Sequence, residues 1–348
     1  MATLRDLPLL RLGPHAVTPI VLAPMAGVSE RPFRELAFER GAGLAPTELS
    51  SAKSLLTAKR PDPVLCHDPK KERPFAVQLF GSEPSELARA AELVAAAGAA
   101  IVDLNMGCPV RKVTRKSAGS ALLREPKRAA EIVSEIRRSV GQNVAVTAKI
   151  RAGWDESTIN ALDVGRALED AGLDAIALHG RTRSEGYSGV ARVELVGSLV
   201  SHLKIPVIAN GDIDSPARAD QVVRTTGCAA VMIGRAALGN PWIFDSLRRV
   251  WRGEAPAPEP TPNERADMIL RHLRANVEHV GHELTAVRRF RPQLAWYARG
   301  LRGRQDFVPR AQSVEELPEL FDAIDSYFRV AERELDESAS YDERRALG

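Results

Sequence analysis

The stretch AAIVDLNMGCP (Ala99–Pro109) decides the fold. Its first half is almost continuously apolar, as in a strand covered on both faces. Its second half turns polar at Asn105 and Cys108 before a proline. Outward from it, the same pattern recurs in runs starting at Ile20 (IVLAPMAG), Gly43 (GLAPTELS), Pro74 (PFAVQLFG), Val144 (VAVTAKIRAG), Ala175 (AIALHGRT), Pro206 (PVIANGDI) and Ala230 (AVMIGRAALG). Helical patterns lie between them: Ser85–Ala97, Pro126–Val140 with Gly141 at its stop, Thr158–Ala171 and Pro216–Thr225. Alternating β and α elements imply parallel strands. Eight such units in about 240 residues predict an α/β protein built on a closed (β/α)8 TIM barrel, with a doubly wound open sheet as the alternative.

The polar residues fall where a barrel enzyme needs them. The eight runs end at Met25, Glu48, Gln78, Asn105 with Cys108, Lys149 with Arg151, His179 with Arg181, Asn210 with Asp212, and Gly234 with Arg235. Barrel active sites form at the C-terminal strand ends, so these side chains should converge on one mouth. A single buried Asn or His is ordinarily a hydrogen-bonded core residue; eight in phase fit that explanation poorly. Gly211 and Gly234 would let backbone N–H groups approach an anion that Arg235 could clamp, although either glycine could simply serve a tight turn. No GxGxxG follows a strand, which leaves a mononucleotide cofactor such as FMN.

Beyond the eighth unit, APAPEPTP (Ala255–Pro262) has the composition of a semi-rigid linker. Helical periodicity resumes over Asn263–Val280, Thr285–Leu301 and Ser313–Leu335. The expected organisation is a barrel over 1–250, a linker over 251–261, a small all-helical domain over 262–335 and a charged tail over 336–348. The 348 residues are 44% hydrophobic with a net charge of +3, which excludes general disorder. No apolar run approaches the roughly 18 residues of a membrane span, and Met1–Gly13 lacks a small-residue cleavage site. Three scattered cysteines without a CxxC argue against a disulfide framework, structural zinc or an iron–sulfur cluster. No metal, no membrane and a reducing cytoplasm are therefore expected; oligomeric state is not legible.

The charge is uneven. Arg265 to Arg310 holds ten arginines against four acids, and Ala311 to Gly348 four against eleven. Arg288, Arg289, Arg291, Arg299, Arg302 and Arg304 cluster with Phe290, Trp296 and Tyr297 interleaved, a pattern suited to a polyanion. Taken alone, such a cluster is more often a solvated helix face.

Several motifs, in order, resemble the tRNA-dihydrouridine synthases, in particular their bacterial B-type group. They are Ala23-Pro24-Met25-Ala26-Gly27-Val28, Gln78-Leu79-Phe80-Gly81, Asp103 to Pro109 (DLNMGCP) running on through Val110 to Leu123, Lys149 to Trp154 (KIRAGW), His179 to Arg183 (HGRTR), Asn210 to Ile213 (NGDI) and Gly234 to Trp242 (GRAALGNPW). The NMGCP block with its basic extension is the most specific. The resemblance implies FMN-dependent reduction of uridine to 5,6-dihydrouridine in tRNA, with NADPH (or NADH) as reductant. It implies that Pro24, Met25 and Ala26 line the flavin, with Gln78 and Lys149 at its polar edge and His179 nearby. Asn210, Gly211, Asp212, Gly234 and Arg235 would hold the ribityl phosphate, and Cys108 would donate the proton.

The chemistry suits those residue types. Uracil has a C5=C6 bond conjugated to its C4 carbonyl, so hydride addition at C6 calls for a proton at C5. A thiol, with a reference pKa of about 8.5, can act as that acid at neutral pH. Lys149 could neutralise charge on the reduced ring, and the Asn105 amide could fix the base. An everted uridine also needs phosphate anchors. Arg111, Lys112, Arg115 and Lys116 follow Cys108, and Arg151, Arg181 and Arg183 lie at later strand ends. Arg288, Arg289, Arg291, Arg299 and Arg302 could form a second wall. Two alternatives stay open: a metabolite oxidoreductase on the same barrel, and a non-catalytic tRNA-binding module.

Overall fold

A computed structural model describes residues 2–60 and 62–346, without the side chains of 336–346, where the charged tail was expected. The chain divides into two compact units: Met1–Ala236 with Ile243–Pro256, and Ala237–Trp242 with Ala257–Gly348.

The first unit is built on eight parallel strands: β1 (Ile20–Leu22), β2 (Ser50–Ser51), β3 (Ala76–Phe80), β4 (Ile101–Met106), β5 (Ala145–Arg151), β6 (Ala175–His179), β7 (Val207–Asn210) and β8 (Ala230–Ile233). Neighbours follow chain order from β2 round to β8, and β8 pairs with β1. The ring closes between β1 and β2 through a parallel bridge from Val21 to Leu44, with Leu22 N–H donating to the Leu44 carbonyl at 2.8 Å. The barrel thus replaces the open-sheet alternative.

The second strand is far shorter than the run from Gly43 suggests. Pro46 has no N–H to give to a ladder. The chain passes from β1 at Leu44 to the third strand at Thr47, whose N–H donates to the Ala76 carbonyl, before a two-residue strand forms at Ser50.

Helices α1 (Arg31–Arg40), α2 (Ala52–Thr57), α3 (Pro84–Ala96), α4 (Arg111–Thr114), α5 (Pro126–Val140), α6 (Ala161–Asp170), α7 (Val193–His202) and α8 (Pro216–Thr226) fill the crossovers, and α9 (Trp242–Trp251) follows β8. Local signals set their ends. In α8, Ser215 caps the Arg218 N–H, Pro216 occupies the first turn, and Gly227 closes the helix in the left-handed region.

A hairpin not foreseen from sequence, Leu10–Leu12 with His15–Val17, packs its apolar face against the N-terminal ends of the strands. Leu10, Leu12 and Val17 join Ala76, Ile101, Ala145, Ala175 and Ala230 in one core cluster. The alanines at these strand starts leave room for the hairpin's leucines. This end is a packed plug, so chemistry is left to the other end.

The second unit contains α10 (Pro262–Val280), α11 (Glu283–Tyr297), α12 (Arg304–Ser313) and α13 (Leu317–Ala346). Thr261 and Glu264 form a capping box at the start of α10. Glu254–Thr261 has no regular structure, in keeping with its proline content. The segment Ala237–Trp242 groups with the helices: Trp242 meets Tyr297 edge-on, and a Cβ on Gly239 would lie 2.4 Å from the Trp296 carbonyl carbon. Periodicity alone predicts one helix running to Leu301. Gly300 and Gly303, at φ +81° and +70°, break it and open α12 instead.

Candidate active site

The register of the sheet sets the layers of the mouth. Gln78 pairs with Asp103, which pairs with Thr147; Asn105 pairs with Lys149; Arg151 pairs with His179, which pairs with Asn210. In-phase strand ends thus stack polar layers above the apolar plug.

Cys108 sits on the loop after β4, half-buried. The loop is held from three sides. The Asn105 side-chain oxygen accepts from the Gly107 and Cys108 N–H groups at 3.2 and 2.9 Å. Ser120 donates its N–H and its hydroxyl to the Cys108 carbonyl at 3.2 and 2.9 Å. Arg151 Nε donates to the Gly107 carbonyl at 2.9 Å. Ser120 was not foreseen, because a serine 12 residues downstream carries no local signal. Gly119 is required beside it: at φ +60°, a Cβ would lie 2.9 Å from the Cys108 oxygen.

Two expected substrate residues are committed elsewhere. Arg151 is 3% exposed, and its Nη1 donates to the Thr182 and Gly186 carbonyls at 2.9 and 2.7 Å. Arg181 is 2% exposed and donates to Asp212, Ser188 and Gly189. Both clamp loops; the Arg181 guanidinium is saturated by protein acceptors and has little left for an RNA phosphate, whereas Arg151 Nη2 has no acceptor among the described residues. Asn105 is likewise occupied, with its oxygen on the Cys108 loop and its amide donating to Gln78 Oε1 at 2.8 Å. It positions the loop, and the second N–H of its amide has no acceptor among the described residues.

Lys149 is half-buried, and its ammonium has no hydrogen-bond acceptor among the described residues. Burial first, and then the Arg151 charge, pull its pKa down to about 8, against a smaller opposing pull from Asp103. His179 is pushed down to about 2 by burial and by Lys149, Arg151, Arg181 and Arg235, so the ring is neutral. Its Nε2 lies 3.3 Å from Arg181 Nη1. A guanidinium can only donate, so Nε2 accepts and the ring proton resides on Nδ1.

The Asp212 carboxylate holds two arginines, accepting from Arg181 at 3.0 and 2.8 Å and from Arg235 at 2.9 Å, and also takes the Ala191 N–H at 2.9 Å. Its side chain therefore orients Arg235 and is not itself an anion donor. Gly211, at φ +125°, has no room for a side chain: a Cβ would lie 2.5 Å from Ala191 Cβ. The Asn210 amide donates to the Met232 carbonyl at 2.8 Å, which ties β7 to β8. The N–H groups of Gly211, Gly234 and Arg235 donate to no protein acceptor among the described residues.

On the β1 loop, Ser29 receives the Met25 N–H at 2.8 Å and donates to the Ala23 carbonyl, setting the course of Pro24, Met25 and Ala26. Glu48 accepts from Gly27 N–H, and burial pushes its pKa up. Tyr187, absent from the expected set, stands exposed at the rim. Its ring lies 5.6 Å from the Arg151 guanidinium and 5.3 Å from that of Arg235.

Arg111, Lys112, Arg115 and Lys116 are exposed and make no ion pair among the described residues. Arg183 is half-buried over Trp154, 4.6 Å from its ring. On the helical unit, Arg288, Arg289, Arg299 and Arg302 are exposed, whereas Arg291 is half-buried. Arg288 pairs with Glu315 at 2.6 Å. Phe290 and Tyr297 belong to the helical core beside His272, so they offer no stacking surface. The described residues contain no cluster suited to a metal ion and no helix long and apolar enough to cross a membrane.

A family model described as Dihydrouridine synthase (Dus) matches residues 21–331. The chain is 43% identical over 305 residues to tRNA-dihydrouridine synthase B of Pseudomonas aeruginosa, covering 87% of this chain and 90% of that one. It is 40% identical over 311 residues to the protein of the same name from Vibrio cholerae, covering 89% and 95%. Among solved structures, a 2-naphthoyl-CoA reductase complex matches with TM-score 0.57 at 12% identity, over 71% of this chain and 52% of that one. Histamine dehydrogenase from Rhizobium sp. 4-9 matches with TM-score 0.57 at 15% identity, over 76% and 50%. At those identities the two structures speak to the barrel fold alone.

Proposed function

Because the chain belongs to the dihydrouridine synthase family, we propose that it reduces the C5=C6 bond of specific uridines in tRNA, using FMN and a reduced nicotinamide, NADPH or NADH, as reductant. The carrying observation is Cys108 on a loop held at Gly107 and Cys108, at the barrel end that also bears Lys149 and His179.

The mouth suits a flavin mononucleotide. Lys149, a half-buried cation without an acceptor among the described residues, matches the electron-rich edge of a reduced ring, with Gln78 beside it. Pro24, Met25 and Ala26 would line the ring. The unpaired N–H groups of Gly211, Gly234 and Arg235, with Asn210 and Asp212 bracing them, would hold the phosphate. When bound and reduced, FMN supplies the hydride that adds at C6 of uracil.

The chain's own residues do the rest. The Cys108 Sγ–H gives its proton to C5, and the thiolate recovers one from solvent. Neutral His179 offers a hydrogen bond from Nδ1. Arg111, Lys112, Arg115, Lys116 and Arg183 bind RNA phosphates near the mouth, and Arg288, Arg289, Arg291, Arg299 and Arg302 do so on the helical unit, here read as a tRNA-recognition domain. A cytoplasmic setting follows from that substrate.

The test is Cys108→Ala. Flavin should remain bound and still be bleached by NADPH, while dihydrouridine formation falls by about 10²- to 10⁴-fold, the usual share of a general acid. Unchanged product formation would remove Cys108 from its role.

A further inference from the structure

Asp103 lies beneath the mouth, 5% exposed, on β4, the strand whose following loop carries Cys108. Thr147 Oγ1 donates to its Oδ1 at 2.6 Å, and Gln78 Nε2 to its Oδ2 at 2.6 Å. Gln78 Oε1 then accepts from Asn105 Nδ2 at 2.8 Å, and Asn105 Oδ1 accepts from the N–H groups of Gly107 and Cys108. The chain of hydrogen bonds has a direction. At its upper end, backbone N–H groups can only donate, so Asn105 must present oxygen to the loop and its amide N–H to Gln78. At its lower end, burial pushes the Asp103 pKa up, but its Oδ2 accepts from Gln78 Nε2, so Gln78 presents its amide N–H downward and its oxygen upward. Each end demands the same setting of the two amides between them.

We propose that Asp103 is a positioning residue for Cys108, acting through Gln78 and Asn105 to lock the orientation of the loop that carries the thiol. This rests on the function proposed above only for its catalytic consequence; the locking itself is a property of the fold. With an apolar residue at 103, the Gln78 amide loses its acceptor and turns, Asn105 loses its partner, and the loop is held by Ser120 and Arg151 alone. Thr147 donates to Asp103 from outside the chain of amides, so losing its hydroxyl should leave the loop in place.

The experiment measures alkylation of Cys108 by iodoacetamide in the purified FMN-bound protein carrying Cys66→Ser, with peptide mapping to separate Cys108 from buried Cys228. Asp103→Val, close to aspartate in volume, should change the Cys108 alkylation rate at least fivefold. Asp103→Asn, which can still offer an oxygen to Gln78, should change it less than threefold, and Thr147→Val less than twofold. In turnover on tRNA, Asp103→Val should lower kcat at least tenfold, leave KM for tRNA within threefold and leave flavin reduction by NADPH within threefold. Should Asp103→Val fail to fold, Gln78→Met breaks the same chain one link higher and should change the alkylation rate as much. Wild-type alkylation in whichever of these two variants folds overturns the proposal. An altered alkylation rate in a protein that never reduces tRNA sustains the locking and overturns the function proposed above.

Discussion

Arg181 and Asp212 form a two-pronged ion pair at the mouth of the barrel, with Nη1 and Nη2 at 3.0 and 2.8 Å from the two carboxylate oxygens. The pair joins the loop after β6 to the turn after β7. Arg181 is almost wholly buried while Asp212 is about a quarter exposed. Asp212 also reaches Arg235, so one carboxylate sets both the β6 loop and the arginine assigned to the phosphate. Asp212→Ala leaves a buried guanidinium uncompensated and should lower stability by about 3 kcal/mol in denaturant titration. FMN affinity should fall with it, since Arg235 loses its tether. An unchanged unfolding midpoint would contradict this bracing.

Lys149 is a cation kept at a cost. In the flavin-free protein, replacing it by Met should raise the melting temperature by about 2–4 °C while abolishing tRNA reduction, because a half-buried, unpartnered charge is removed. Its folded pKa, about 8, lies below the ordinary 10.5 of a lysine. Between those values the unfolded chain binds more protons, so stability should rise with pH from about 8 to about 10.5. The cost is fully present below about pH 8. This rise should disappear in Lys149→Met when melting is followed across that range.

His179 should not titrate in the physiological range. With its folded pKa at about 2 against an ordinary 6.5, the unfolded chain takes up a proton that the folded ring refuses. Stability is therefore lost as pH falls from about 6.5 towards about 2. NMR of the ring Cε1–H should show no inflection between about pH 5 and 8, the range of an ordinary histidine; a midpoint near 6.5 would refute the neutral assignment.

Gly211 combines positive φ with a Cβ direction blocked by Ala191 and, at 3.1 Å, by His179 Cδ2. Gly211→Ala should cost about 2–4 kcal/mol, from backbone strain and overpacking together. It should also displace His179, which near-ultraviolet circular dichroism and the ring NMR signals would reveal.

Replacing Arg111, Lys112, Arg115 and Lys116 together by alanine tests the RNA surface near the mouth. Affinity for tRNA should fall, and the slope of log affinity against log salt should flatten by up to about 0.9 for each phosphate that is no longer neutralised. Flavin content and NADPH oxidation should not change, since these side chains are exposed and make no ion pair among the described residues. An unchanged salt slope would place the RNA elsewhere.

Much of this protein is legible in one dimension. Apolar runs recur eight times, seven of them ending in polar residues, and period and phase are local properties. The helix limits at Pro126 and Gly141 or at Pro216 are equally readable, because caps depend on adjacent residues. So are the motif residues around Cys108, Lys149 and His179. What local pattern misplaces is the employment of side chains. Arg151, Arg181 and Asn105 read as groups facing a substrate, yet they hold loops, because partners such as Thr182, Asp212 and Gln78 come from other strand ends. The N-terminal hairpin and Ser120 escape notice for the same reason. Local pattern determines which elements form and in what order they join the ring. Only closing the ring decides which donor meets which acceptor across it, since a hydrogen bond depends on ångströms in space and not on separation along the chain.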